Sequence, residues 1–491
     1  MRFLRAPRIP VVKQAVDLLV ADRPATADTI VAAPTPLQPI DLTDDARVAE
    51  VLELAVRVGE IVLASGTGVN DTMTQVRFIA ATYGLSRCDI DVTYDAIRIW
   101  ADRGPMLPPA STMRVVKYRS LDFTRLAAAD RLTRRIRNEV VPPGEARARL
   151  DAITSAPHPY HRWVATFGWS LLAASIAVLL GGGWLAAAVS FGTTLAIDRV
   201  NRVLNRYGLP FFFQHVAGGA IAATPALLLA TLATILHIDV DPTLIIAAGI
   251  TVLLSGLQLV GAVQDAITGA PITATARMLE VIMMTGGIIA GIAMALRVGD
   301  MLGATIPPVY LTSSRDITDL PIKIAAGAVA AMAFALACYA ERRALAAAAF
   351  GGAAGTICFL LVQNLGFGPV ISSAVAATLV GLAGGLMARR ALTPPLVVAV
   401  AGITPLLPGL KVYRGLYALL NDELLIGGNQ VLAAVGVGCA LAAGVTLGEW
   451  FDRTVRRPRI LSRFDSIRRP VIVHRRRLPR HPGRREPGHR S

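Results

Sequence analysis

The chain has 491 residues, of which 54% are hydrophobic and only 17% are charged, with a net charge of +15. Soluble proteins carry about 25% charged residues. Here the apolar residues concentrate between Val164 and Trp450, in runs that approach or exceed the roughly 18–20 residues needed to cross a bilayer. This composition excludes a soluble enzyme, a disordered chain and a fibrous repeat, and it predicts a polytopic α-helical membrane protein.

The positive charge is concentrated at the C-terminal end. Residues 451–491 contain fourteen arginines against two aspartates and one glutamate, and so supply +11 of the +15. A basic segment that follows a membrane helix is typical of the cytoplasmic side and of contact with anionic membrane lipid. Because no aromatic-interleaved basic motif accompanies it, nucleic-acid binding is not expected.

The first 157 residues divide into two segments. Residues 1–40 are proline-spaced and are predicted to be a mobile arm, whereas residues 41–157 combine helical periodicity with alternating strand-like runs and are predicted to be a soluble α+β cytoplasmic domain. The turn Ser65-Gly66-Thr67-Gly68 before a predicted helix has two interpretations. It can hold an anion on its backbone N–H groups, or it is a capped helix–turn–helix, which the lack of a phosphate-loop lysine favours.

No catalytic or metal-binding set is apparent in the sequence. The four cysteines are far apart and lack metal or redox spacing. No Ser/His/Asp arrangement can be assembled from the residues. We therefore expect a protein that is not an enzyme and has no cofactor.

The apolar part is predicted to contain ten membrane spans, five in residues 158–300 and five in residues 301–450. The spans are 164–180, 184–198, 211–236, 243–263, 273–296, 322–340, 345–362, 369–388, 394–420 and 428–449. If the domain 41–157 is cytoplasmic, most lysines and arginines between spans fall on the cytoplasmic side. The first, third and seventh connections, on the other side, contain none. This bias predicts an even number of spans with both termini in the cytoplasm.

An internal repeat connects the two halves of the membrane part. The segments Ala248-Gly-Ile-Thr-Val-Leu-Leu-Ser-Gly-Leu257 and Ala401-Gly-Ile-Thr-Pro-Leu-Leu-Pro-Gly-Leu410 match at eight of ten positions. They fall in the fourth and ninth predicted spans. Because five is an odd number, the two copies would cross the membrane in opposite directions, as in the inverted repeats of secondary transporters.

The repeated segments are also predicted to interrupt their helices. Pro408 and Gly409 cannot continue a regular helix, and Gly256 makes the other copy easy to bend. Backbone groups freed in this way are tolerated only inside protein or beside a water-filled cavity. Thr251 and Thr404 are therefore candidate lining residues of a site for a small polar substrate; the alternative is that both breaks are packing kinks without a ligand.

Charged residues near the fourth and fifth spans are candidates for a proton pathway. Asp265 and Glu280 are candidate proton-accepting carboxylates, and Arg277 is a candidate partner for them. Charges at membrane depth are costly and usually mark a pathway. The alternative is that all three are loop charges at the membrane surface.

Four further polar residues are candidates for the substrate or ion pathway. Lys411 and Arg414, directly after the Pro-Gly break, would attract a substrate carboxylate; the alternative is that they anchor the helix at the outer interface. Gln258 occupies the repeat position of Lys411 and is a candidate lining residue. His215 is a candidate titrating group, or a hydrogen-bonded packing histidine.

Three motifs resemble the threonine/serine exporter family. Arg57-Val-Gly-Glu-Ile-Val-Leu-Ala-Ser-Gly-Thr-Gly68 with Asp71-Thr-Met is similar to its cytoplasmic domain, the Asp265…Gly269…Arg277 stretch to its first membrane half, and Thr404-Pro-Leu-Leu-Pro-Gly-Leu-Lys-Val-Tyr-Arg-Gly-Leu416 to its second. The resemblance covers residues 45–450. One departure is Ser255-Gly256, where a Pro-Gly pair is expected.

The resemblance implies a ten-span carrier in the inner membrane that exports L-threonine and L-serine in exchange for protons. Together with the repeat, it predicts about ten transmembrane helices as a five-plus-five inverted repeat behind a cytoplasmic α+β domain. The alternatives are export of another small metabolite such as a dicarboxylate, or a membrane enzyme or sensor that uses the soluble domain. A homo-oligomer is left open.

Overall fold

A computed structural model describes residues 39–116, 121–236, 242–253, 256–303, 319–391, 393–420 and 422–456. The predicted arm 1–40 and basic tail 451–491 therefore lie almost entirely outside the described residues. The N-terminal region contains four helices and three strands: α1 (Asp45–Ala64), α2 (Val69–Thr82), β1 (Cys88–Val92), β2 (Ala96–Ala101), β3 (Ala110–Val115), α3 (Phe123–Asn138) and α4 (Pro143–Ser155).

Local sequence signals account for the elements of this region. The Asp44 side chain accepts hydrogen bonds from two main-chain N–H groups of the first turn of α1, as an N-cap does. The strands form an antiparallel sheet in the order β1-β2-β3, with Ile99 opposite Ile90 on one side and Thr112 on the other. The sheet packs against α1 and α2, with Ile99 fully buried.

The rest of the described chain is helical. The helices are α5 (Arg162–Leu179), α6 (Trp184–Arg206), α7 (Phe211–Leu236), α8 (Pro242–Leu253), α9 (Gly256–Ile267), α10 (Pro271–Met301), α11 (Leu320–Ala337), α12 (Arg342–Asn364), α13 (Pro369–Ala391), α14 (Pro395–Ile403), α15 (Gly409–Leu420) and α16 (Leu424–Arg456).

Seven of these helices are long and apolar enough to cross a membrane, and the bent pair α8–α9 brings the number to eight. Helix α6 falls outside this set because its C-terminal half carries Asp198, Arg199 and Arg202. Helix α14 with its following turn is apolar but short. The chain is therefore a polytopic helical membrane protein, and the count of ten spans stays a prediction.

The two sets of membrane helices repeat one packing pattern. In the first set, α5 packs against α6, α6 against α7, α7 against α10, and α9 against α10. In the second set, α11 packs against α12, α12 against α13, α13 against α16, and α15 against α16. The broken helix also has equivalent neighbours, since α8 contacts α5, α6 and α7 while α14 contacts α11, α12 and α13.

In each set, glycines allow one pair of helices to approach closely: α7 with α10, and α13 with α16. A Cβ atom on Gly291 of α10 would overlap the main chain of α7 at Val216, and one on Gly448 of α16 would overlap the main chain of α13 at Thr378. Each has a partner glycine four residues earlier, at Gly287 and Gly444, which also touches main chain. This small-xxx-small spacing lets membrane helices approach closely.

The N-terminal region packs directly onto the membrane helices. The Phe123 ring meets Phe334 of α11 edge to face, with ring centroids 6.1 Å apart, and the Phe123 N–H donates to the carbonyl of Cys338 at 3.0 Å. Arg131 of α3 forms an ion pair with Glu341 at 2.7 Å. One hydrophobic core therefore runs from the N-terminal region into the second membrane set.

Candidate functional site

The helix break in the second set follows from its prolines. Helix α14 ends at Ile403, a 3-10 turn covers Thr404–Leu406, and α15 begins at Gly409. Between them Leu407 is extended, with φ −62° and ψ 137°. The ring of Pro408 disfavours helical geometry at the preceding residue, which explains why the helix stops here.

The break in the first set occupies the matching place. Helix α8 ends at Leu253 and α9 begins at Gly256, and the two axes meet at 51°. Residues 254–255 lie outside the described chain, so the predicted role of Ser255 is not visible. Helix α8 is buried along almost its whole length and packs against α15. The broken helices of the two sets are therefore in contact.

The two candidate threonines are buried beside these breaks. Thr251 donates its hydroxyl to the carbonyl of Ala247 at 2.7 Å, and Thr404 donates to that of Val400 at 2.9 Å. Each hydroxyl proton is thus used within its own helix, which leaves the oxygen as an acceptor.

Asp265 and Arg277 form a buried ion pair. The carboxylate Oδ2 lies 2.8 Å from the guanidinium Nη1, and the two side chains are 0% and 5% exposed. Both therefore lie inside the protein and not among surface loop charges. A buried pair of this kind is costly to break, because either partner alone leaves an uncompensated charge.

The N-terminal region contributes to this pair. Val69, the first residue of α2, donates its main-chain N–H to Oδ1 of Asp265 at 2.9 Å, and Arg277 donates to the carbonyl of Thr67 at 3.4 Å. The N-cap position of α2 is Gly68, which has no side chain to offer. The turn between α1 and α2 therefore joins two helices, as the favoured interpretation expects, and the first main-chain N–H of α2 binds a carboxylate of the same chain.

Glu280 lies one turn further along α10 from Arg277. Its carboxylate accepts a hydrogen bond from the Tyr94 hydroxyl at 2.7 Å. Tyr94 lies in the turn between β1 and β2. Both candidate carboxylates are thus bonded to the N-terminal region, a relationship that the sequence analysis did not anticipate.

The remaining predicted residues are less closely grouped. Lys411 and Arg414 are half-buried on α15, directly after the break. Gln258 is half-buried at the equivalent place on α9, and its Oε1 has no hydrogen-bond partner among the residues that the structure describes. The Nδ1 of His215 is 2.8 Å from the carbonyl of Phe211 in the preceding turn of α7, as in a packing histidine.

A polar cavity beside the first break was missed by the sequence analysis. It has a volume of about 280 Å³ and is walled by α5, α6, α7 and the last two residues of α8. Its polar lining includes Thr194, Asp198, Asn201 and Arg202. Asp198 follows Thr194 by four residues, and Asn201 and Arg202 follow Asp198 by three and four, so the four residues share one helical face. That spacing was a signal in the sequence, which the sequence analysis did not use.

Comparisons with known proteins agree on one family. A family model described as a putative threonine/serine exporter matches residues 53–299, and a second, described as threonine/serine exporter, ThrE, matches residues 323–451. The chain is 43% identical over 450 residues to a threonine/serine exporter of Corynebacterium glutamicum, with 91% of each chain covered. It is 38% identical over 424 residues to a probable threonine/serine exporter of Mycobacterium tuberculosis, covering 84% of this chain and 78% of that protein. No solved structure matches.

Proposed function

The chain belongs to the threonine/serine exporter family, and from this we propose that it exports L-threonine and L-serine across the cytoplasmic membrane by proton antiport. Two relatives that carry this name align with most of the chain. The arrangement of the helices supports a transporter, because a rigid bundle without a substrate path has no need of two interrupted helices at its centre.

The architecture in this proposal is ten spans in two five-helix halves of opposite direction, with both termini in the cytoplasm. The repeated packing of α5–α10 and α11–α16 supports two equivalent halves. The matching segments 248–257 and 401–410 each contain a helix break at the same point. One half rocking against the other would then open the centre alternately to each side.

The contact between α8 and α15 is the observation that carries the proposal. It brings a broken helix of each half to one place, with Thr251 and Thr404 beside the breaks. The backbone groups freed at Gly256, Pro408 and Gly409 would bind the ammonium, carboxylate and hydroxyl of an amino acid.

In this proposal, charged side chains attract the substrate and couple its export to proton movement. Lys411 and Arg414 follow the second break and would attract the substrate carboxylate, with Gln258 as their polar counterpart in the first half. Asp265 and Glu280 would accept protons, and Arg277 would hold Asp265 in place through their ion pair. His215, bonded within its own helix, would take no direct part.

Counterflow of labelled threonine and serine into proteoliposomes tests this function. We expect both amino acids to exchange, and an inward proton gradient to accelerate efflux. Excess unlabelled dicarboxylate is the discriminating competitor, because the positive charges of Lys411 and Arg414 would also suit such an anion. Exchange of dicarboxylate with no exchange of threonine or serine would contradict the proposed substrate.

A further inference from the structure

The cavity beside α6 connects the N-terminal side of the membrane helices to the first helix break. Its polar end is at Asp198, which accepts a hydrogen bond from Thr166 at 2.7 Å, only one turn into α5. Helix α5 follows directly on the N-terminal region. At the other end, the wall includes Leu253, the last residue before the break. A molecule in this cavity would therefore lie between the N-terminal side and the interrupted helix.

Two lining side chains have unmet hydrogen-bonding capacity. Thr194 is completely buried, and its hydroxyl has no hydrogen-bond partner among the described residues. The Oδ1 of Asn201 is buried and also lacks a partner there. Buried polar atoms without partners are rare in native proteins, and each such atom calls for an explanation. A ligand with its own hydroxyl or ammonium group would satisfy both.

The cavity also presents one charge of each sign. Oδ2 of Asp198 lies 2.8 Å from Nε of Arg202, one turn later on α6. The neighbouring Arg199 also pairs with Asp198, with its Nη2 3.3 Å from Oδ2, and its guanidinium carbon lies 3.7 Å from the centroid of the Trp163 ring. Of these three charged residues, Asp198 and Arg202 line the cavity and form a dipolar pair in its wall. A free amino acid is the complementary ligand, because its ammonium and carboxylate are attached to one carbon atom.

The volume of the cavity can accommodate a small ligand. Small-molecule sites usually enclose roughly 300–1,000 Å³, and this cavity has about 280 Å³. That volume suits a single small amino acid. The apolar part of its wall, with Trp169 and Leu253, would contact the carbon atoms of the ligand.

We propose that this cavity binds one zwitterionic hydroxy amino acid, which it holds before transfer to the paired helix breaks. The substrate carboxylate binds Arg202, its ammonium binds Asp198, and its hydroxyl group bonds to Thr194 and Asn201. The substrate class rests on the proposed function. The site itself rests on the unpaired atoms, the dipolar pair and the volume.

Equilibrium binding of labelled serine to the purified full-length protein tests the site separately from transport. Thr194→Val keeps the shape of the side chain and removes only the hydroxyl, and Asn201→Leu removes the amide. We expect each variant to weaken serine binding tenfold or more. Unlabelled alanine, which lacks the hydroxyl, should compete with serine about equally well in Thr194→Val and at least tenfold less well in the wild type. Ser373→Ala is the matched control, since Ser373 of α13 is equally buried and its hydroxyl also has no partner among the described residues.

The binding and counterflow measurements together separate the proposed cavity site from the proposed transport function. Serine binding that is unchanged in Thr194→Val and Asn201→Leu overturns the site, even where the wild type transports serine. Weakened binding in both variants, with Ser373→Ala unchanged, supports the site. If that pattern occurs while proteoliposomes show no counterflow, the site stands and the transport function fails. A wild type that binds neither serine nor threonine overturns the site.

Discussion

The carboxylate of Asp265 caps a helix that begins 196 residues earlier, by accepting the main-chain N–H of Val69 at 2.9 Å. Its second oxygen is 2.8 Å from Arg277. One buried carboxylate thus satisfies the N-terminus of α2 and the guanidinium of α10 at the same time. The charge state of Asp265 and the position of the N-terminal region are therefore physically coupled, since neutralising the carboxylate weakens both interactions.

The buried pair predicts a specific pattern of stability. Asp265→Asn removes the negative charge that lies 2.8 Å from the buried guanidinium of Arg277, and breaking a buried pair costs about 3–5 kcal/mol. The double variant Asp265→Asn, Arg277→Gln removes both charges and should be more stable than Asp265→Asn alone. Thermal unfolding of the detergent-purified protein measures this. Asp300→Asn, exposed at the end of the same helix α10, is the control and should unfold like the wild type. If the loss of stability in the double variant equals the sum of the losses in Asp265→Asn and Arg277→Gln alone, the two side chains are not energetically coupled.

Glu280 gives a cleaner test of proton coupling than Asp265. Glu280→Gln keeps an oxygen that can accept from the Tyr94 hydroxyl and removes the titratable group. We expect normal protein abundance, normal threonine counterflow, and a loss of at least tenfold in the acceleration that a proton gradient produces. Tyr94→Phe serves as the control for the hydrogen bond alone. A Glu280→Gln protein with full gradient-driven efflux would show that Glu280 does not carry the proton.

The Pro-Gly break predicts a loss of transport without a loss of folding. Replacing Pro408 and Gly409 by alanine removes the restriction on Leu407 and favours a continuous helix, because alanine is the best helix former. Transport should fall sharply while the protein remains inserted and monodisperse. Transport measured per inserted molecule checks this. Normal transport would mean that the break is a packing feature.

A cross-link tests whether the two helix breaks lie close together. If the two breaks form one site, cysteines at Thr251 and Thr404 should be joined by a short bifunctional reagent in the assembled protein. The wild-type cysteines provide the background for this measurement. Cys88 should react slowly in it, because burial raises the pKa of its thiol to about 11 and the reactive thiolate is scarce near pH 8. Absence of a cross-link would place the two threonines apart and the site elsewhere.

The glycines between paired helices predict equal sensitivity in the two halves. A methyl group at Gly291 or Gly448 would overlap main-chain atoms of the neighbouring helix. Gly291→Ala and Gly448→Ala should each destabilise the protein by about 1–3 kcal/mol, as overpacking does. In Gly286→Ala and Gly428→Ala, on the same two helices, the added methyl group meets no described atom within 4 Å, so both variants should be neutral or slightly stabilising. Thermal unfolding of the four variants distinguishes the two classes.

Reporter fusions test the proposed topology. With ten spans and both termini in the cytoplasm, fusions after residues 390 and 457 should both report a cytoplasmic position. A periplasmic signal at residue 457 would contradict the ten-span arrangement and with it the opposite directions of the two halves. A fusion after Gly366, at the end of α12, is the control and should report the opposite side.

The sequence predicts the helices of this protein better than its contacts. Apolar length defines the long helices, and Pro408 identifies one break, because both effects are local to the chain. The sequence analysis also names Arg277 as a candidate partner of Asp265, because the two residues are close in sequence. The hydrogen bond from Val69 to Asp265 was not predicted, because no local pattern relates residues on two distant elements.

The polar face of α6 was overlooked for a different reason. Asp198 and Arg202 lie near the end of their helix, where charges are expected at a membrane surface. Only the neighbouring elements turn that face into a cavity, through Trp169 of α5 and Leu253 of α8. Helical spacing alone identifies a shared face, but it does not tell whether the face meets lipid, protein or an internal space.

The contact of α3 with the α11–α12 turn has a consequence for the synthesis of the protein. Thr124 donates to the carbonyl of Tyr339, 215 residues later in the chain. At roughly 5–20 residues per second, a ribosome needs on the order of ten seconds or more to deliver that partner. Until then the contacts of Phe123 with Phe334 and with the carbonyl of Cys338 cannot form. Closure of this contact thus requires a chain that has been synthesised at least as far as the α11–α12 turn.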